Sequence, residues 1–244
     1  MKKYYYDLHT HSCLSPCADN DNTPNNLAGM ASLSGIDILA LTDHNTAKNC
    51  PAFFEAAERY GVIPVAGVEL TTSEDIHAVC LFEHLSDAMR FDKELDGRRL
   101  KIKNRPDIFG EQLIVDGMDN VIGREDDLLS YATDISIEDA PELVRSFGGV
   151  CYPAHIDRDS NGIITVLGTL PDSPKFSAFE FHFAEKIDEY VKRYGIRDKV
   201  IVVSSDAHCL TDIRDKENYF ELSPTDESPD AVRRELFRLL RRCS

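Results

Sequence analysis

The stretch Asp7-Leu8-His9-Thr10-His11 decides how the rest of this 244-residue chain is read. It follows Tyr4-Tyr5-Tyr6, an aromatic run that predicts a short β-strand. Side chains two apart in an extended segment point the same way, so His9 and His11 share a face. Two neutral imidazoles on one face suit a single metal ion. Taken alone, the pattern reads equally well as a half-exposed histidine pair without a function.

Working outward from that strand, Thr23-Pro24 opens a helix that Gly35 closes, with Leu27, Met30 and Leu33 on one face. Residues 36–41 form a near-continuous apolar run, the pattern of a strand buried on both faces, and end in Thr42-Asp43-His44-Asn45. A second helix has Pro51 in its first turn. Residues 62–68 give a strand ending at Glu69, and residues 76–82 give another with His77 near its start. Later strands are predicted at 149–153, leading to His155, and at 176–181, carrying Glu180 and His182. A further strand, 200–203, runs into Ser204-Ser205-Asp206-Ala207-His208. A strand at 219–222 and an amphipathic helix from about Asp230 complete the chain.

This alternation predicts an α/β fold with a parallel sheet. His9, His44, Glu69, His155, Asp206 and His208 all fall at the C-terminal ends of separate strands. A barrel collects active-site groups there, whereas an open sheet concentrates them at one switch point, so a seven-stranded or otherwise irregular barrel is expected. Residues 1–244 are read as a single barrel domain. It carries an insertion at about 106–136, where residues 112–122 predict a β-hairpin. The insertion and the basic stretch Arg98 to Arg105 are expected to form a lid over the barrel mouth.

Composition narrows the class. Hydrophobic residues make up 42% of the chain, and no apolar run approaches a membrane span. The N-terminus enters the first strand directly, so no cleaved signal peptide and a cytoplasmic location are expected. The seven cysteines, at 13, 17, 50, 80, 151, 209 and 243, are odd in number and scattered, which fits reduced thiols better than disulfides. A net charge of -16 argues against an extended nucleic-acid surface. No membrane contact is expected, and the oligomeric state is left open. Bound divalent cations can make one pocket locally positive on an acidic protein.

The motifs Asp7-Leu8-His9-Thr10-His11-Ser12, Thr42-Asp43-His44-Asn45, Gly67-Val68-Glu69, Pro153-Ala154-His155 and Ser205-Asp206-Ala207-His208 resemble those of the PHP (polymerase and histidinol phosphatase) family, in the family's order. The resemblance implies a distorted TIM-like (β/α)7 barrel. It also implies two or three Zn, Mn or Fe ions used to hydrolyse phosphoesters, with a small phosphorylated substrate or nucleotide as the expected partner. By that resemblance His9, His11, Glu69 and Asp206 hold the first ion. Glu69 bridges to a second ion held by His77 and His155, and His44 and His208 serve a third. Asp7 and Asp43 are read as partners that orient imidazoles. The chain departs from the family pattern at Ser15-Pro16-Cys17-Ala18-Asp19, where many relatives carry a third-site ligand. Cys17 or Asp19 is a candidate there, and the favoured reading of Cys17 is an unligated small apolar residue.

The activity expected is a metal-dependent phosphoesterase, with attack on phosphorus by a metal-bound hydroxide held at Glu69 and with Arg158 as a phosphate binder. Two other classes stay open: a non-catalytic metal-binding PHP scaffold, and amidohydrolase-like hydrolysis at carbon.

Overall fold

The tyrosine run forms β1 (Lys2–Asp7) in a computed structural model that describes residues 1–242, so Cys243 lies outside the described residues. The chain continues through α1 (Pro24–Leu33), β2 (Ile38–Leu41), α2 (Cys50–Tyr60), β3 (Ile63–Thr71), β4 (His77–Phe82) and α3 (Leu85–Asp96). The predicted insertion contains α4 (Pro106–Phe109) and a hairpin of β5 (Leu113–Val115) and β6 (Val121–Arg124). Then come α5 (Ala140–Ser146), β7 (Gly149–Pro153), α6 (Ile163–Leu167), β8 (Ala178–Phe181), α7 (Ile187–Tyr194), β9 (Val200–Val203), β10 (Tyr219–Leu222) and α8 (Pro229–Leu240). The short helices α4 and α6 leave no periodic pattern to read, because a single turn is too brief to repeat a face.

Seven strands run in barrel order, β1-β2-β3-β4-β7 and then β8-β9, but the barrel does not close. The first five, with β10 on the outer edge of β1, make one six-stranded sheet, and β8 and β9 form a separate parallel pair. β7 packs beside β8 without a shared ladder, tied by Ile156 N–H to Glu180 O at 2.9 Å, and beyond the ends of β9 and β1 the Thr10–Ala207 bridge and a bond from Asp19 N–H to His208 O at 2.8 Å join the two bodies. β10 occupies the edge of β1 that a closing strand would need, pairing Lys2–Tyr5 antiparallel with Leu222–Tyr219.

The sheet is not all parallel. β4 runs antiparallel to both β3 and β7. A parallel crossover needs a dozen or more residues, and only the turn Thr72–Ile76 separates β3 from β4, with Thr72 N–H donating to Ile76 O at 2.9 Å. The reversal places the start of β4 beside the end of β3, pairing Thr71 with His77. His77 thereby reaches the same end of the sheet as residues that finish parallel strands.

Two apolar layers hold this arrangement. Inside the sheet, Tyr6, Leu8, Ile38, Val65, Leu81 and Tyr152 pack on Leu236 and Phe237 of α8. Outside it, Leu39, Leu41, Phe82 and Val68 pack on Phe53 of α2 and Phe91 of α3. Gly67 sits where β2, β3 and β4 press together. A Cβ there would lie 2.8 Å from both Leu81 Cδ2 and Thr42 Cγ2, and 2.9 Å from the Cys80 carbonyl oxygen. Gly67→Val is expected to cost about 1–3 kcal/mol or more of stability through overpacking. Urea unfolding checks this, and an unchanged midpoint would remove the packing argument.

The insertion acts as a brace instead of the expected lid. Leu113 N–H donates to Cys13 O at 2.8 Å, and Asn45 Nδ2 donates to the carbonyls of Leu129 and Tyr131. Gly110, at φ +95°, lies so close to Pro16 that a Cβ would overlap the Pro16 carbonyl oxygen. These contacts pin the loops that follow β1 and β2. The basic stretch is committed to carboxylates: Arg98 to Glu94, Arg99 and Lys101 to Asp96, Lys103 to Asp127 and Arg105 to Asp107. It forms no free cationic surface.

Candidate metal centre

Seven side chains from the C-terminal ends of the parallel strands, and from the start of β4, gather around Glu69. Its Oε1 lies 3.3 Å from His9 Nε2, 2.8 Å from His77 Nδ1 and 3.2 Å from His155 Nε2. Its Oε2 lies 3.3 Å from His11 Nε2 and 3.0 Å from His44 Nδ1. Asp206 Oδ1 is 3.4 Å from His9 Nε2 and 3.2 Å from His11 Nε2. His208 follows, its Nδ1 2.7 Å from the Asp206 carbonyl oxygen. All but His77 and His208 are buried, and those two are half-buried.

The donor atoms fall into three overlapping groups: His9, His11, Glu69 and Asp206; His44, Glu69 and His77; and His11, His44 and His208. His44 thus faces Glu69 as well as His208, a wider reach than the sequence reading gave it. His155 joins the second group through its 3.2 Å approach to Glu69.

These residues fit bound divalent ions. His44 Nδ1 and Glu69 Oε2 are 3.0 Å apart, yet neither makes a hydrogen bond of acceptable geometry. His9 Nε2 and His11 Nε2 are 3.2 Å apart and face the same carboxylates. Donors about 2.1 Å from one ion and about 90–110° apart lie about 3.0–3.4 Å from each other. Charge points the same way. Burial lowers the His9 pKa, but Glu180, Glu69 and Asp206 outweigh it and the net shift is strongly upward. His11 follows, reaching about 9 against burial through Asp206 and Glu69. Burial would raise Glu69, and His77, His9 and His44 hold it far below the carboxylate range. The carboxylates thus demand nearby positive charge, which divalent ions supply while leaving imidazoles neutral.

A ring of partners orients the donors. Glu180, buried in Phe179-Glu180-Phe181, accepts from His9 Nδ1 at 2.9 Å and from the His155 backbone N–H at 3.1 Å. Its role was missed in the sequence. A carboxylate between two aromatics of a buried strand was the available signal, since burial of a charge demands a partner. Asp43 accepts from Ser12 N–H, Ser12 Oγ and Ser15 Oγ, each at 2.7 Å, and Ser15 Oγ lies 3.0 Å from His11 Nδ1. Asp7 accepts from the backbone N–H groups of His9 and Ser205 instead of an imidazole. Burial, moderated by Ser205, lifts its carboxyl to about 6. His155 and Asp206 sit at φ +27° and +53°, a backbone strain that such bonds sustain.

A cavity of about 190 Å³ opens onto this cluster, lined by Cys17, His44, Arg158, Ser160, Asn161 and His208 among others. No residue of 106–136 lines it. Arg158 reaches it paired to Asp206 Oδ2. Cys17 stands against His44 and His208. Partial desolvation would raise the pKa of this solvent-accessible thiol, but those imidazoles and His11 outweigh it and bring it to about 5. Asp19 is exposed, and its Oδ1 accepts from Asp21 N–H, away from the cavity. His182 is half-buried outside the cluster, its backbone N–H on Asp157.

Replacing Asp43 by Asn is expected to loosen the Ser15–His11 contact and weaken ion retention about tenfold with the fold intact. Titration with a competing chelator reads this, and wild-type retention would refute the positioning role.

With this geometry in place, the PHP domain family matches residues 7–123. Residues 7–123 carry a PHP domain. The match spans His9, His11, His44, Glu69 and His77, and the fold brings His155, Asp206 and His208 to the same centre. The PHP chain is 35% identical over 77 residues to an error-prone DNA polymerase of Symbiobacterium thermophilum, covering 32% of this chain and 7% of that protein. It is 37% identical over 79 residues to a 5'-3' exoribonuclease of Haemophilus influenzae, covering 31% of this chain and 28% of that protein. The chain thus spans well under two thirds of the curated relatives it matches.

Solved structures share the fold. Endonuclease Q, in complex with a 27-mer duplex bearing an abasic lesion at the active site, superimposes with a TM-score of 0.62 at 15% identity. That match covers 96% of this chain and 56% of that one. A Bifidobacterium adolescentis protein, provisionally described as a metal-dependent phosphoesterase, matches with a TM-score of 0.61 at 18% identity over 96% of both chains.

The duplex complex corrects one expectation. The acidic charge of the chain was read as excluding an extended nucleic-acid surface, and a small phosphorylated substrate or nucleotide was expected. The same fold holds a DNA duplex in endonuclease Q. Net charge is a sum over the whole surface, whereas a nucleic acid responds to the local field at its groove. Among the described residues, no helix is long and apolar enough to cross a membrane.

Proposed function

We propose that this PHP chain is a metal-dependent nuclease that hydrolyses phosphodiester bonds of a nucleic-acid strand, one nucleotide at a time in its cavity. The observation that carries this reading is the convergence of six imidazoles and Asp206 around Glu69. His9, His11, Glu69 and Asp206 would hold one ion, and Glu69 with His77 and His155 a second. His44 and His208, with the Cys17 thiolate, would hold a third. When bound, such ions polarise phosphoryl oxygens and bring the pKa of water toward neutrality.

The protein's own groups do the rest. Glu180 accepts a hydrogen bond from His9 Nδ1–H and so leaves the lone pair of Nε2 free to face the metal position beside Glu69. Asp43, acting through Ser15, fixes His11 in the same way. Arg158, at the cavity wall, offers its remaining N–H groups to a non-bridging phosphate oxygen. A cavity of about 190 Å³ admits a phosphoryl group with part of one nucleotide, so a strand end or an extruded nucleotide would enter and the helix would stay outside. The likeness to an exoribonuclease and to endonuclease Q supports a nucleic-acid substrate.

The test is a panel of end-labelled single-stranded RNA, single-stranded DNA and abasic duplex, with protein loaded with zinc or manganese and with chelated controls. Metal-dependent cleavage of at least one polymer is expected. Ions bound at two or more per chain with every polymer left intact would sink the nuclease reading.

A further inference from the structure

Cys80 on β4 and Cys151 on β7 are directly opposed in the antiparallel ladder. The ladder also fixes which kind of pair they form. Ala154 N–H donates to His77 O at 3.0 Å, making His77 and Ala154 a hydrogen-bonded pair. Such pairs alternate with non-hydrogen-bonded ones along an antiparallel ladder. Ala78–Pro153 is therefore non-hydrogen-bonded, as the missing N–H of Pro153 requires, and so is Cys80–Cys151. Side chains are closest in such pairs, with Cα atoms about 4.5 Å apart, inside the window of about 4.4–6.8 Å that a disulfide spans. The two side chains lie on the helix-facing side of the sheet, with the Cys80 thiol donating to Ala78 O at 3.7 Å.

Access is one-sided. Cys80 is fully buried, whereas Cys151 lines a surface cavity of about 90 Å³ with Ser177, Arg145, Lys175 and Arg241. That space admits a water-sized oxidant. The position also matters. Cys80 shares β4 with His77, and Cys151 lies on β7, which runs directly into His155.

We propose that Cys80 and Cys151 are a redox pair, joined by hydrogen peroxide in a disulfide that thiols reverse, and that the cross-link weakens ion retention at His77 and His155. The Cys151 thiolate attacks one peroxide oxygen, breaking the O–O bond to give a sulfenic acid and hydroxide, which takes up the proton Cys151 lost. The Cys80 sulfur then attacks the sulfenic sulfur, forming the S–S bond, and the departing hydroxide leaves as water with the Cys80 proton. Two thiols lose two electrons and one peroxide becomes two waters. A cross-link at the short end of the separation window is strained and hence readily reduced. It also changes the spacing of two donor-bearing strands. The effect on ions rests on the proposed metal centre, whereas the disulfide does not.

The experiment treats the intact zinc-loaded chain with hydrogen peroxide, blocks thiols, and maps peptides without reductant. A Cys80–Cys151 linked peptide is expected, lost on adding dithiothreitol and absent from Cys80→Ala. Zinc competition with a chelator should show about tenfold weaker retention in oxidised wild type than in peroxide-treated Cys80→Ala, where oxidation of other cysteines such as Cys17 is common to both. Both thiols alkylated in the folded chain while Cys17 or Cys209 is oxidised, or a link that forms only in urea, would overturn the pair. A link with equal zinc retention in the two proteins would overturn the coupling. A reduced chain that holds no zinc counts against the metal centre, and the peptide map still decides the disulfide.

Discussion

Glu69→Gln is expected to abolish turnover and strip the centre of its ions while the chain still folds. The two carboxylate oxygens of Glu69 are approached by five imidazoles, those of His9, His11, His44, His77 and His155. Glutamine keeps the shape but loses the charge, and one of its two positions becomes an N–H donor that cannot face an electron pair donor's target. A group shared by two ion positions has no local substitute. Activity should fall by at least about a hundredfold to a thousandfold, the scale of removing one preorganised electrostatic group. Metal content per chain and cleavage rate are the measurements, with the melting transition as the control for folding. A variant with most of its activity and full metal content would remove Glu69 from the centre of the mechanism.

Glu180→Ala should rank second, and it separates two roles of one side chain. Glu180 Oε1 accepts from His9 Nδ1 and also from the His155 backbone N–H, whose residue sits at φ +27°. Truncation leaves a buried N–H unpaired, at about 1–3 kcal/mol. It also frees the His9 ring to take either tautomer, which should weaken ion retention about 10–100-fold. Glu180→Gln keeps an acceptor for the backbone N–H, so stability should largely recover while retention stays impaired. Wild-type ion retention in Glu180→Gln would mean that Glu180 serves the backbone alone.

The sequence made most of this centre legible for a physical reason. Donors at the ends of parallel strands must share one face of the fold, and His9, His44, Glu69, His155, Asp206 and His208 were read that way. His77 was found at the start of its strand, a position that made sense only once β4 proved antiparallel. The turn of residues 72–76 was too short for a crossover and already held that information. Glu180 was harder, because a carboxylate inside a buried strand declares a need for a partner without naming it. Cys17 and Asp19 were not separable in sequence, as each lies on the same short loop. The loop's turn sends only Cys17 into the cavity. The nucleic-acid question was misjudged because a sum of charges carries no positions.

The incomplete barrel has a mechanical consequence. His9, His44, Glu69, His77 and His155 ride on or just beyond the six-stranded sheet, whereas Glu180, Asp206 and His208 belong to the two-stranded one. Those two bodies meet across seams held by scattered backbone bonds instead of continuous ladders, so fewer such bonds resist a shift between them than within either sheet. Ions gripped by His9 on one body and Asp206 on the other would rivet the halves together. The centre would then be a fastener as well as a catalyst, and loading it would set the stiffness of the whole molecule.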